Sequence, residues 1–152
     1  MSMRIAMLLA VVGIPLSLIP QGSTPDESEL IRLHSELIRA HVEGRVDVWM
    51  SLESDPFVSV NGGRVTFPDA SERREGRAAY LETTKFETYR DIRAPIARMS
   101  DDGTLGWLIA EVEIEGTTGS SRTPFRDIWA WIELYEKVDD GWRLVGNASN
   151  RR

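Results

Sequence analysis

The chain has 152 residues, with 24 Asp and Glu against 18 Lys and Arg, and 41% of its residues are hydrophobic. A chain of this length buries roughly two-thirds of its unfolded surface in one core, so a single domain is expected, and its hydrophobic content favours a packed globule over disorder. The acidic balance, without a basic stripe, excludes nucleic acid as a partner, and the absence of cysteine excludes thiol catalysis, cysteine-ligated zinc and disulfides.

At the N-terminus, Arg4 precedes an uncharged apolar run from Ile5 to Ile19, followed by Pro20, Gln21, Gly22 and Ser23. This is the layout of a signal peptide. The run is too short for an ordinary membrane-spanning helix, and Gly13 and Pro15 weaken it further. Cleavage is expected near Gly22 to Thr24, although no A-x-A-like site is present; the alternative is an uncleaved N-terminal anchor over residues 1–23. With no cysteine after the run, a bacterial lipoprotein is excluded. Residues 24–152 then form the exported domain, periplasmic or secreted, touching a membrane only through such an anchor.

A first helix should begin at Thr24 to Asp26, which offer N-cap chemistry, with Pro25 in the first turn and Glu27 and Glu29 at the positive end of the dipole. Leu30, Leu33, His34, Leu37, Ile38 and His41 recur at 3.6-residue spacing, and Gly44 closes the helix. A short second helix runs through Val46, Trp49, Met50 and Leu52 to the break at Asp55-Pro56. The period then becomes that of strands. Asn61-Gly62-Gly63, between Phe57-Val58-Ser59-Val60 and Arg64-Val65-Thr66-Phe67, reads as a tight hairpin. After Pro68, Asp69 with Glu72 can cap a third helix carrying Ala78, Ala79, Tyr80, Leu81 and Phe86.

The last sixty residues read as an antiparallel meander of four strands, Ile92 to Met99, Leu105 to Glu115, Phe125 to Val138 and Trp142 to Ser149. Their turns are Asp101-Asp102-Gly103, Gly116 to Ser121, and Asp139-Asp140-Gly141. The third is apolar on both faces, with Ile128, Ala130, Ile132 and Leu134 opposing Phe125, Trp129, Trp131 and Tyr135. Two covered faces require a partner subunit or an internal cavity. Parity does not decide which face looks inward. A homodimer through the sheet is expected, with Trp129 taken as the outward tryptophan whose replacement by Glu gives monomers.

This order of elements, with "LHSELIRAHVEGRVDVWMSLESDPFVSVNGG" and the ending "WIELYEKVDDGWRLVGNASN", resembles the SnoaL-like, or nuclear-transport-factor-2-like, superfamily. The resemblance covers nearly all of residues 24–152 and rests on Ala40-His41-x-x-Gly44, the strand Asp55-x-Phe57-Val58-Ser59-Val60, and the hairpin from Tyr135-Glu136-Lys137 to Trp142-Arg143-Leu144-Val145. It implies an α+β fold in which a curved antiparallel or mixed sheet wraps a long N-terminal helix into a cone, with two further short helices, a pocket at the mouth and dimerisation through the sheet. Its members include isomerases, dehydratases, cyclases, ligand binders and association domains, so fold alone fixes no activity. Related chains often carry histidines on the final strand, where this one reads Gly146-Asn147-Ala148-Ser149.

His34 and His41 are seven residues apart, about 10 Å along a helix, too far to share one metal ion. No metal site is expected. Each is either a neutral core histidine bonded to a backbone carbonyl or an acid, base or donor at the pocket mouth. Glu111, Glu113 and Glu115 read as a solvated edge. Asp127 and Glu133 flank Trp129 and Trp131, where an apolar wall can raise a carboxyl pKa; ion pairs with Arg122, Arg126 or Arg143 are the alternative. Trp49, Tyr80, Trp107, Trp129, Trp131 and Tyr135 line a pocket or fill the core, with Asn147 orienting a ligand. G-x-S-x-G, G-x-G-x-x-G, P-loop and H-E-x-x-H patterns are absent, and no cofactor is implied. A small apolar or aromatic ligand is the first expectation. A cofactor-free lyase, isomerase or hydrolase built on His34 or His41 with Asp127 or Glu133 is the second, and an association module without ligand is the third.

Overall fold

The structure, a computed structural model, describes residues 24–139 and 141–152; the signal peptide expected over residues 1–23 lies outside them. Helix α1, Pro25–Val42, begins in a capping box in which the Thr24 hydroxyl accepts from Glu27 N and the Glu27 carboxylate accepts from Thr24 N. It ends before Gly44, whose φ of +67° suits glycine. Helix α2, Val46–Leu52, leads into strand β1, Glu53–Asn61, which returns through Gly62-Gly63 into β2, Arg64–Thr66. Both turn glycines have positive φ, as a two-residue primed hairpin turn demands. Helix α3, Ala70–Thr83, starts with the expected box of Asp69 and Glu72.

Here the expectation needs correction. Phe86 does not belong to the third helix, which stops at Thr83; it lies in β3, Thr84–Asp91, a strand the sequence pattern did not suggest. A bulge between Phe86 and Thr88 breaks the strict alternation by which strands are recognised. Ile92 to Met99 is likewise not one strand: the chain bends at Ile92-Arg93, and only β4, Ile96–Met99, forms a strand. The long strands are β5, Leu105–Thr118, β6, Thr123–Val138, and β7, Gly141–Arg151.

The seven strands form one mixed sheet in the order β2-β1-β7-β6-β5-β3, with β4 also paired to β5 and β1 parallel to β7. Strands β3 and β4 therefore share one flank of β5 end to end. Leu108, Ala110, Val112 and Ile114 of β5 are buried with Leu30 and Leu33 of α1, which identifies the concave face. On β6 that face carries Trp129, Trp131, Glu133 and Tyr135, while Ile132 and Leu134 point outward, 41% and 40% exposed. Trp129 is thus an inward residue, contrary to expectation, and Trp107 is the outward tryptophan. Glu111, Glu113 and Glu115 sit on a central strand rather than an edge, paired respectively with Arg93, with Arg90 and Arg126, and with Arg126.

Candidate functional site

The cone encloses a cavity of about 460 Å³ between the concave sheet, α1, α2 and α3. Trp49, Phe57, Tyr80, Tyr89, Trp129 and Trp131 supply aromatic walls, and His41, Glu53, Arg73, Arg77, Glu133, Asn147 and Ser149 are among the polar groups. Tyr135, expected among the lining, lies behind this wall, 2% exposed, and its hydroxyl donates to Glu133 Oε2 at 2.7 Å.

The two histidines have opposite surroundings. His34 is fully buried and bridges two carboxylates, with Nδ1 2.9 Å from Glu133 Oε1 and Nε2 3.0 Å from Asp91 Oδ1. It is therefore no backbone-bonded neutral histidine. Burial alone would lower its pKa, but the hydrogen bonds and charges of Glu133 and Asp91 overcome this and push it up to about 9. At neutral pH it is an imidazolium, and both ring N–H groups donate. His41 matches the bland expectation: its Nδ1–H donates to the Leu37 carbonyl at 2.7 Å, and its ring stacks on Trp49 at 3.7 Å. Burial drives its pKa down to about 4, a fall the bond to Leu37 only partly opposes. It lines the cavity as a neutral ring.

Of the expected carboxylates, Glu133 reaches the cavity and Asp127 does not line it. Neither pairs with Arg122, Arg126 or Arg143. Glu133 is held by His34 and Tyr135, while Asp127 faces Arg151 at 3.5 Å. His34 comes from the distant helix α1, Tyr135 from two residues along the same strand, and Arg151 from the end of β7. Trp49, Tyr80, Trp131 and Asn147 all line the cavity, whereas Trp107 is on the opposite side of the sheet. Burial raises the Tyr80 hydroxyl to about 12, so it remains a donor at any ordinary pH.

Sequence reasoning missed the cluster around Glu53. This buried carboxylate accepts from Trp49 Nε1 at 3.0 Å, from Arg73 Nε at 3.0 Å and from Arg77 Nη2. Burial raises its pKa against the pull of both guanidinium groups. The available signal was Arg73 and Arg77 four residues apart on one face of a helix beside Ala78, Tyr80 and Leu81. Among the described residues, no group of three or more His, Cys, Asp or Glu could hold a metal ion, and no helix is long and apolar enough to cross a membrane.

A curved mixed sheet closed by three helices around a cavity is the nuclear-transport-factor-2-like (NTF2-like) α+β cone fold. The sequence matches no family model and no curated protein, so the likeness is one of structure. A ketosteroid isomerase-like protein from Erwinia carotovora atroseptica SCRI1043 superposes at a TM-score of 0.70 and 13% identity, over 85% of this chain and 98% of that one. A candidate calcium/calmodulin-dependent kinase II association domain from Exiguobacterium sibiricum 255-15 gives 0.68 and 16%, over 87% and 97%. A candidate dehydratase of the NTF2-like family from Streptomyces avermitilis gives 0.64 and 15%, over 82% and 94%. At such identities the likeness is to the fold alone.

The two histidines make opposite contributions to stability with pH. His34, raised from 6.5 to about 9, stabilises the fold fully below pH 6.5, and that contribution is lost as pH rises through 9. His41, lowered from 6.5 to about 4, contributes fully above pH 6.5 and loses its contribution as pH falls through 4. Each shift corresponds to roughly 3 kcal/mol. Urea unfolding across this range should give greatest stability near neutrality, and His34→Gln should flatten the alkaline limb whatever its absolute stability. An alkaline limb of unchanged slope in that variant would refute the assignment.

Proposed function

We propose that this domain binds a small, mostly apolar molecule in its cone, outside the cytoplasm. The observation that supports binding is the cavity itself: its volume lies in the range of small-molecule sites, and its walls combine six aromatic side chains with polar groups. The purified protein should be screened against a metabolite library by thermal shift. A ligand at a hundredfold excess over its Kd adds about 2.7 kcal/mol of stability. Silence across aromatic and alicyclic compounds would count against binding and favour an association module. Chemistry in the cavity is a second reading, supported by Glu133, a cavity carboxylate fixed by His34 and Tyr135. A hit recovered with altered mass would support it, and a hit recovered unchanged would oppose it.

Export is supported by Arg4 and the apolar run Ile5 to Ile19. Fractionation of a cell expressing the full chain should yield extracytoplasmic protein starting near Gly22 to Thr24. Retention of the whole chain in the cytoplasm would sink this part.

A homodimer is proposed from the outer face of the sheet. The cross-strand row Ile96, Ile109, Ile132, Ala148 and Val60 runs over five strands, and beside it lie Trp107, Leu134, Gly146 and Val58. Six of these side chains are more than a third exposed, from Trp107 at 36% to Ile96 at 45%. Such a contiguous apolar surface suits self-complementary packing about a two-fold axis. Ile132→Glu should place like charges at that interface and give soluble monomers. If the unmodified protein sediments as a monomer at micromolar concentration, the dimer is wrong.

A further inference from the structure

We propose that the cavity's ligand carries one carboxylate on its apolar body and that Arg77 receives this group. The inference rests on the reading of the cone as a ligand cavity and names the ligand's chemistry. Arg73 and Arg77 are one turn apart on α3 and both line the cavity, but they are used differently. Arg73 is 4% exposed and fully engaged: Nε donates to Glu53, Nη1 to Asp55 at 2.7 Å and the Pro68 carbonyl at 2.8 Å, and Nη2 to the Ser54 carbonyl at 3.3 Å. It is a structural clamp.

Arg77 makes one side-chain hydrogen bond among the described residues, from Nη2 to Glu53. Its Nε is buried without a partner, and its Nη1 has none either. The guanidinium lies 4.7 Å from the centre of the Trp49 ring and 5.6 Å from that of Phe57, so the apolar wall adjoins the unused donors. A guanidinium offers five N–H donors, and a buried donor left unmade is costly, so a site retaining them is built for an acceptor.

The nearby negative charge is already committed. Glu53 is shared by Arg73, Arg77 and Trp49, and Asp55 is on Arg73 with its side chain 57% exposed. Glu133 answers the His34 imidazolium and the Tyr135 hydroxyl, while Glu72 is exposed at the mouth and caps α3. Burial lowers the Arg77 pKa against the pull of Glu53. Two other lining groups, Trp131 Nε1 and the Asn147 amide oxygen, also lack partners. An amide can turn to present its NH₂ instead, so the unmet demand is mainly for acceptors. A carboxylate supplies two, and a guanidinium binds it with charge-assisted bonds. Arg77 Nε and Trp131 Nε1 have no exposed surface, so of the Arg77 donors without a protein partner the proposed contact is made by Nη1.

The full-length protein should be titrated calorimetrically with naphthoic acid, its carboxamide and naphthylmethylamine, which share one ring system and differ in charge. The acid should bind about tenfold more tightly than the amide, with the amine weakest. Arg77→Gln should abolish the preference of acid over amide, bringing the ratio of the two affinities to about one. Arg77→Lys, which keeps the charge and loses the fork, should retain part of the preference, and it serves if Arg77→Gln fails to fold. Equal binding of acid and amide by the unmodified protein, or an undiminished preference in Arg77→Gln, overturns this inference while leaving the ligand cavity standing. Failure of all three compounds to bind overturns both.

Discussion

Helix α1 is fastened to the concave sheet by one buried imidazolium, with His34 donating to Glu133 of β6 on one side and to Asp91 of β3 on the other. The helix would pack through Leu30 and Leu33 in any case, each burial being worth about 1.5–3 kcal/mol. Apolar contact is tolerant of small slips and rotations, whereas two charge-assisted bonds to one ring are not. Removing one partner of a buried pair costs about 3–5 kcal/mol, because the remaining charge is stranded. The same contact holds the Glu133 carboxylate at the cavity wall and gives the Tyr135 hydroxyl its acceptor. Orientation of the helix and placement of the polar wall are thus one event.

The cavity depends on the sheet curving away from α1, and the curvature has local causes. Bulges interrupt β3 between Phe86 and Thr88 and the β6–β7 ladder between Leu134 and Tyr135. Opposite the first, Gly116 approaches β3 so closely that a Cβ there would stand 2.0 Å from the Lys85 carbonyl oxygen. Gly146 meets β1 in the same way, with Val58 Cγ1 2.4 Å from the position a Cβ would take. Only a residue without a Cβ allows such close contact, and α3 then covers the opening with the clamp of Arg73, Glu53 and Arg77.

The two apolar faces of β6 have different roles. Trp129 and Trp131 take up the space inside the cone, while Ile132 and Leu134 continue a row that crosses the sheet on its outside. A cone fold of this kind hosts isomerase-like, dehydratase-like and association roles among its structural neighbours, so any activity must be read from the side chains in the cavity.

Local chemistry made much of the fold legible in the sequence. Thr24 with Glu27 and Asp69 with Glu72 mark helix starts, Gly44 marks a stop, and Asn61-Gly62-Gly63 marks a hairpin, because each acts within three or four residues of itself. Trp49, Tyr80, Trp131 and Asn147 were legible as lining candidates from residue type and element. Strand β3 was hidden because its bulge spoils the alternation, and the inward face of β6 because both faces are apolar. Tyr135 was misplaced for another reason: it lies on the inward face but is buried, its hydroxyl on Glu133, rather than open to the cavity. The partners of His34 lie 57 and 99 residues away, and the two arginines on Glu53 lie 20 and 24 residues on. Capping, period and turn type are short-range properties of the chain and were determined by sequence; which carboxylate meets which cation was decided only when the closed sheet brought distant strands together in a low-dielectric interior, where an unpaired charge is too costly to leave.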